Sequence, residues 1–141
     1  MDNKSFVTTS SAQTKKLGRI LAEELHGGEI ICLSGNLGAG KTTFTQGLLK
    51  GLGVKGPFTS PTFNIIKTYK NKTRTIYHID AYRVNSKNLI DLGWKDFAGK
   101  PNSIVIIEWV EKVKKIIPKS AFWINFEWIN NNGRKITLCN K

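Results

Sequence analysis

Residues 35–42 have the sequence GNLGAGKT, from Gly35 to Thr42, and fit the pattern G-x-x-x-x-G-K-[ST] of phosphate-binding loops. The apolar run 29–34 (EIICLS) precedes this stretch and predicts a buried strand. Residues 41–52 follow it with apolar side chains at helical spacing, which predicts a helix. A strand, a glycine-rich turn and a helix in this order are the structural context in which the pattern binds phosphate.

The residue types in this loop suit the phosphates of a nucleotide. Glycines leave backbone N–H groups free to converge on an anion, and the following helix adds the positive end of its dipole. Lys41 would place its ammonium on the β- and γ-phosphates, and the Thr42 hydroxyl is a ligand for Mg²⁺. A chance glycine turn is the alternative, but the flanking strand and helix favour a nucleotide site.

The rest of the chain alternates strand and helix patterns without an evident linker. Thr8, Thr9 and Ser10 are helix-start residues, and Gly27-Gly28 ends the helix that follows them. Further elements are predicted as a strand at 103–108, hairpins at 63–69 with 73–79 and at 122–128 with 134–138, and short helices at 86–92 and 111–117. Together they predict an α/β fold: a P-loop NTPase-like three-layer sandwich with a mixed sheet and antiparallel hairpins. We expect one domain over residues 1–141.

Composition excludes several classes of protein. The longest aliphatic run, 104–107, is far shorter than the ~20 residues of a membrane span, and residues 1–10 lack the pattern of a signal peptide. Two cysteines, Cys32 and Cys139, are too few for a disulfide framework or a multi-cysteine zinc site. We therefore expect a cytoplasmic protein with free thiols and no membrane partner.

The net charge of +12 has two interpretations. Such a field attracts polyanions, among them nucleic acids and acidic partners. However, 18 of the 22 basic residues are lysines, beside 12 asparagines and 16 isoleucines, and these three residue types share A/T-rich codons. The surplus charge is therefore either functional or a product of genome composition.

Two carboxylates end apolar runs and are candidates for holding the metal of a P-loop ATPase. Asp80 follows 76–79, and Glu108 follows 104–107. The alternatives are a turn cap at Asp80 and a first-turn helix position at Glu108. His78 is expected to be a hydrogen-bonded packing residue rather than a metal ligand.

The sequence favours ATP over GTP. Guanine is usually recognised by the aspartate of an N-K-x-D element. The only near matches, residues 3–6 (NKSF) and 71–74 (NKTR), lack that aspartate.

The ordered motifs resemble those of the TsaE (YjeE) family, small bacterial ATPases of tRNA threonylcarbamoyladenosine biosynthesis. The resemblance extends over roughly residues 8–138. Val110, Ala81 and Asp96 depart from the residues common in that family. The matching segments are TKKLGRILA (14–22), GNLGAGKTT (35–43), TSPTF (59–63), HIDAYR (78–83), LG (92–93) and IEWVE (107–111).

The resemblance implies a role for each matching residue. Lys41, Asp80 and Glu108 would serve catalysis, and Thr42, Asp80 and Glu108 would surround Mg²⁺. Trp109 would pack against adenine, with a tryptophan of the hydrophobic core as the alternative. The nucleotide would contact Gly35, Asn36, Leu37, Gly38, Ala39, Gly40, Lys41, Thr42, Thr43 and Trp109.

Two further segments carry implied roles. Ser60 and Thr62 would lie in a loop that senses the γ-phosphate. Tyr82 and Arg83 would orient Asp80 or face a partner.

The resemblance also implies cofactors and partners. ATP and Mg²⁺ would be the cofactors, and TsaD-like and TsaB-like proteins the partners, with tRNA contacted at most indirectly. ATP hydrolysis would drive conformational cycling of the tRNA-modifying assembly. A small-molecule kinase and a basic RNA-binding module with a vestigial loop remain the alternatives. A kinase lid needs arginines, and the chain has only Arg19, Arg74, Arg83 and Arg134.

Overall fold

The computed structural model describes residues 4–36, 38–58 and 65–140. Within them, seven strands form one mixed sheet. The strands are β1 (Lys4–Thr8), β2 (Ile30–Gly35), β3 (Ile66–Lys70), β4 (Thr75–Asp80), β5 (Ser103–Glu108), β6 (Phe122–Trp128) and β7 (Arg134–Asn140). Their order across the sheet is β1-β7-β6-β2-β5-β4-β3.

The central strands are parallel and the outer ones antiparallel. β2 pairs in parallel with β5 on one side and with β6 on the other, and β4 pairs in parallel with β5. β3 with β4 and β6 with β7 form the two expected hairpins, and β1 pairs antiparallel with β7. The carboxyl ends of β2, β5 and β4 therefore lie side by side at one edge of the sheet.

Helices cover both faces of the sheet. α1 (Ser11–Ala22) and α2 (Lys41–Gly51) share one apolar core with the sheet, which includes Ile31, Phe44 and Ile106. α3 (Ser86–Asp91), α4 (Trp94–Phe97) and the 3₁₀ helix Val110–Ile116 share a second core on the other face. The three-layer α/β architecture predicted from the sequence is confirmed.

Glycines bring α1 and α2 into close contact. A Cβ built on Gly47 of α2 would lie 2.0 Å from the Lys15 carbonyl oxygen, and one on Gly18 of α1 would lie 2.4 Å from the Phe44 carbonyl oxygen. Because no side chain fits at either point, glycine is required for the two backbones to approach this closely. The packing fixes α2, and with it the loop that precedes α2, against the sheet.

The structure differs from the predicted elements at several points. β1 and α4 were not expected, and the helix predicted at 111–117 is a 3₁₀ helix at Val110–Ile116 that has non-helical φ and ψ at Val113. β3 begins at Ile66, whereas the predicted strand began at residue 63; residues 63 and 64 lie outside the described residues. The predicted helix start is confirmed, since the Ser10 hydroxyl accepts a hydrogen bond from the Gln13 N–H at 3.1 Å.

Candidate nucleotide-binding site

The glycine-rich loop joins β2 to α2 at the carboxyl edge of the sheet. β2 ends at Gly35 and α2 begins at Lys41. Gly40 caps α2 with a φ of 99°, a left-handed conformation that residues with a Cβ adopt only at a cost. Because Gly40 has no side chain, the N-cap makes no side-chain hydrogen bond to the first-turn N–H groups, which are the donors that an anion needs.

The remaining loop residues differ in their exposure. Asn36, Gly38 and Thr42 are exposed, whereas Ala39 is buried and Thr43 half-buried. The Ala39 N–H donates to the Asn36 carbonyl at 3.1 Å, which closes a turn within the loop. Leu37, the other predicted nucleotide contact, lies outside the described residues.

Lys41 lies at the centre of the site and is 6% exposed. Its Nζ donates to the Gly35 carbonyl at 2.7 Å. Burial lowers the pKa of the Lys41 ammonium, and the carboxylates of Glu108, Glu111 and Asp80 act in the opposite direction. The ammonium is thus held on the backbone of the phosphate loop and within the field of three acidic groups.

The two predicted carboxylates end neighbouring strands. Asp80 is the last residue of β4 and Glu108 the last residue of β5, and the two are partners in the strand register. They are 9% and 7% exposed, respectively. Asp80 Oδ1 accepts the Tyr82 N–H at 3.0 Å, and Glu108 Oε2 lies 2.8 Å from His78 Nε2. Both carboxylates are buried, and Glu108 precedes the 3₁₀ helix rather than lying in its first turn. Asp80 also caps the turn that follows β4, as the alternative interpretation of this residue expects.

The donor set around these carboxylates fits Mg²⁺. Among the described residues no lysine or arginine nitrogen lies within 4.0 Å of either carboxylate, so both are buried without a close cationic side chain. In the described part of the chain, no group of three or more His, Cys, Asp or Glu side chains is arranged so that it could hold a metal ion by itself. Mg²⁺ usually takes only one or two protein carboxylates and completes its shell with water and substrate phosphates. Asp80, Glu108 and the Thr42 hydroxyl therefore have the right chemistry for a metal that arrives with a nucleotide.

Trp109 covers the ammonium of Lys41. Its ring centroid lies 4.1 Å from Lys41 Nζ, a cation–π contact, and its backbone has a left-handed φ of 60° between β5 and the 3₁₀ helix. Tyr82, which is 50% exposed, meets the same ring edge-to-face at 5.0 Å. The half-buried tryptophan ring thus lies beside the phosphate loop and also packs against the second apolar core.

Comparison with known proteins agrees with the geometry. The family model described as "Threonylcarbamoyl adenosine biosynthesis protein TsaE" matches residues 8–136. The chain belongs to the TsaE family. Relatives named tRNA threonylcarbamoyladenosine biosynthesis protein TsaE include those of Rickettsia conorii and Aquifex aeolicus. The first is 38% identical (92% of this chain, 74% of the relative), and the second is 36% identical (98% and 97%).

A solved structure extends the TsaE assignment to the fold. The crystal structure of Bacillus subtilis YdiB matches with a TM-score of 0.82 and 28% identity, covering 97% of this chain and 84% of that one. The family resemblance predicted from the motifs is confirmed, and with it a role in tRNA threonylcarbamoyladenosine biosynthesis. No helix among the described residues of this TsaE-family chain is long and apolar enough to cross a membrane.

Arg134 is a site residue of this TsaE-family chain that the sequence did not reveal. Its Nε donates to the Gly38 carbonyl of the phosphate loop at 3.1 Å, and its Nη1 donates to the Asn130 and Gly133 carbonyls at 2.7 and 2.8 Å. The guanidinium thus ties the loop to the β6–β7 hairpin. No local motif points to this contact, because 96 residues separate Arg134 from Gly38.

The remaining motif residues predicted to have a role are Ser60, Thr62, Tyr82 and Arg83. Ser60 and Thr62 lie outside the described residues. Arg83 is exposed just after Asp80. Lys112 lies over the Tyr82 ring, with its Nζ 4.7 Å from the centroid, and donates to the Tyr82 carbonyl.

Proposed function

We propose that this chain binds ATP with Mg²⁺ at the β2–α2 loop and hydrolyses it in the service of tRNA threonylcarbamoyladenosine biosynthesis. One arrangement carries the proposal: Lys41 at the loop and two buried carboxylates, Asp80 and Glu108, at the adjacent strand ends. Membership of the TsaE family supplies the pathway.

Phosphate binding would use groups that are already positioned. Lys41 Nζ donates to Gly35 in this structure, and a phosphate oxygen is a stronger acceptor for the same ammonium. The uncapped first turn of α2 supplies N–H donors and the positive end of the helix dipole.

The metal would be held by Thr42 together with Asp80 and Glu108. A bound Mg²⁺ would supply positive charge that offsets the charge of the nucleotide phosphates. The Tyr82 N–H fixes one oxygen of Asp80, and His78 fixes one oxygen of Glu108, so both carboxylates are oriented by hydrogen bonds.

The adenine preference follows from the base-recognition residues of the chain. No N-K-x-D element is present, and Trp109 offers a flat ring beside the phosphate loop. We expect ATP to bind more tightly than GTP in calorimetric titrations; equal affinities would contradict an adenine pocket at Trp109.

Turnover tests the carboxylates separately from binding. Asp80→Ala and Glu108→Ala should each lower ATP hydrolysis sharply while nucleotide still binds, because these groups act on the transition state. Asp91→Ala, at an exposed position of α3, is the matched control and should leave both quantities unchanged. Wild-type turnover in both site variants would reject the proposal. Transfer of labelled phosphate to a metabolite rather than to water would favour a small-molecule kinase.

Partners of the TsaD and TsaB type would complete the ATPase. Arginine fingers contribute about 10³–10⁵ in rate and are often supplied in trans. Of the four arginines, Arg134 is bonded to loop carbonyls, Arg74 donates to the neighbouring Thr73 hydroxyl, and Arg19 and Arg83 are exposed. We expect slow phosphate release by the chain alone, a strong rise with a TsaD–TsaB-like complex, and tighter association of the two in ATP than without nucleotide. Fast hydrolysis that ignores the complex would contradict this dependence.

A further inference from the structure

His78 and Glu108 form a buried pair within the sheet. His78 is 3% exposed in the middle of β4, and its Nε2 lies 2.8 Å from Glu108 Oε2 at the end of β5. Side chains alternate along a strand, so His78 and Asp80 share one face of β4. Ile106 and Glu108 likewise share one face of β5. This is the face of the sheet that packs against α1 and α2. The imidazole therefore lies one strand away from Glu108, on the face that carries Lys41.

The direction of the hydrogen bond defines the tautomer of His78. An ionised carboxylate only accepts hydrogen bonds, so Nε2 carries the hydrogen and donates it to Glu108. His78 Nδ1 is buried and, among the described residues, is the one buried side-chain nitrogen or oxygen without a hydrogen-bond partner. One nitrogen of the ring thus serves Glu108, while the other remains unsatisfied.

A packing role alone does not explain this arrangement. Ile76 and Ile106 are completely buried beside His78 on the same face, so an aliphatic side chain would fill the space without burying polar atoms. A buried polar atom without a partner is costly, and native structures keep such atoms where function requires them. The geometry indicates that this function is to hold the Glu108 carboxylate by a hydrogen bond.

We infer that His78 is a positioning residue that holds the Glu108 carboxylate in one orientation at the phosphate site. The inference rests on the proposed ATPase function. Groups that bond to metal-binding or catalytic carboxylates in this way commonly contribute about 10–100-fold to activity or metal affinity. The hydrogen bond of His78 is made to Glu108, whose proposed role is in turnover, so the effect of His78 should appear in turnover and not in nucleotide affinity.

Two amide substitutions, each of which reproduces one nitrogen of the ring, separate positioning from packing. His78→Gln places an amide N–H₂ close to the position of Nε2, whereas His78→Asn has its donor near the position of Nδ1 and falls short of Glu108. We expect His78→Asn to lower kcat about 10–100-fold with the ATP dissociation constant unchanged. His78→Gln should restore most of the lost rate. Thermal melts of both variants establish that each is folded.

The Glu108→Ala background supplies the second arm of the test. If His78 acts only through Glu108, then His78→Asn should cause no further loss of single-turnover rate in Glu108→Ala. Full-length chain labelled with ¹⁵N-histidine gives an independent readout. The chain has two histidines, and His26 is exposed, so the His78 signals are readily assigned. They should show hydrogen on Nε2, and Glu108→Ala should shift them.

The results that would overturn the positioning role differ from those that would overturn the proposed ATPase function. Wild-type kcat in folded His78→Asn, equal losses in the Asn and Gln variants, or a lack of hydrogen on Nε2 would each overturn the positioning role. Absence of hydrolysis by wild-type protein, with or without partners, would instead overturn the proposed ATPase function.

Discussion

At the scale of single residues, Lys41 is the most constrained group in the site. Its ammonium is buried, bonded to Gly35 and covered by Trp109. Charge-assisted hydrogen bonds contribute about 1.5–3 kcal/mol, so Lys41→Ala should weaken ATP binding at least about tenfold in calorimetry. Lys50→Ala, at the exposed end of the same helix, should bind ATP like the wild type. Unchanged affinity in Lys41→Ala would remove the basis for a phosphate site.

The residues that sequence reasoning found are those that local patterns mark. The loop of Lys41 is contiguous in sequence, and Asp80 and Glu108 each come directly after an apolar run, so local sequence patterns identify all three as candidates. Sequence reasoning did not identify Arg134 as a site residue because its partner Gly38 is distant in the chain. The bond between His78 and Glu108 likewise depends on which strands become neighbours, and that is set by the tertiary fold.

At the scale of elements, the site depends on how closely α2 approaches α1. A Cβ at Gly47 would lie 2.0 Å from the Lys15 carbonyl, an overlap that only a shift of backbone relieves. Overpacking of this kind costs about 1–3 kcal/mol and sometimes more. Gly47→Ala should therefore lower the free energy of unfolding in urea by at least about 1 kcal/mol, although alanine is the better helix former. In the same assay Gln46→Ala, at the half-buried neighbouring position, should change stability less. A stabilised Gly47→Ala variant would show that the helices separate easily.

Element prediction succeeded where hydrophobic patterns are strong and failed where they are weak. β5 (Ser103–Glu108) matches the predicted bounds because all six residues are buried and its four central residues, 104–107, form an unbroken aliphatic run. β1 is an edge strand in which Phe6 and Val7 are exposed, so no alternation of apolar and polar residues marks it. Its pairing with β7 comes from distant backbone contacts.

At the scale of the whole molecule, the strand order assembles the site. β5 lies between β2 and β4, so Glu108 lies on the strand next to the loop that follows β2 and Asp80 lies one strand farther away. This position agrees with the general rule that open parallel sheets bind their ligands at the carboxyl ends of the strands. The pattern of predicted elements indicated the fold class but not this order, which parallel pairing between distant segments determines.

The buried centre of this sheet also predicts how global stability responds to alkaline pH. Cys32 in β2 is 0% exposed, and burial, with a smaller contribution from Glu111, raises the pKa of its thiol from 9.0 to about 12. Between these two pKa values the unfolded chain loses the thiol proton while the folded chain keeps it. The free energy of unfolding should therefore be unaffected at neutral pH and decline as the pH rises through this window. One pH unit above the unfolded value, the decline from this group is about 1.4 kcal/mol.

Urea unfolding under reducing conditions across this pH window isolates the contribution of the thiol. Cys32→Ala should be less stable at neutral pH because it leaves a cavity, but its stability should fall less steeply with pH than that of the wild type. Ile31→Val, a cavity-forming change at the adjacent buried position, should keep the wild-type steepness. Parallel pH profiles for the wild type and Cys32→Ala would mean that the thiol ionises equally easily in the folded and unfolded chains. In that case the centre of the sheet would be open to water, contrary to the packing of β2 between β5 and β6.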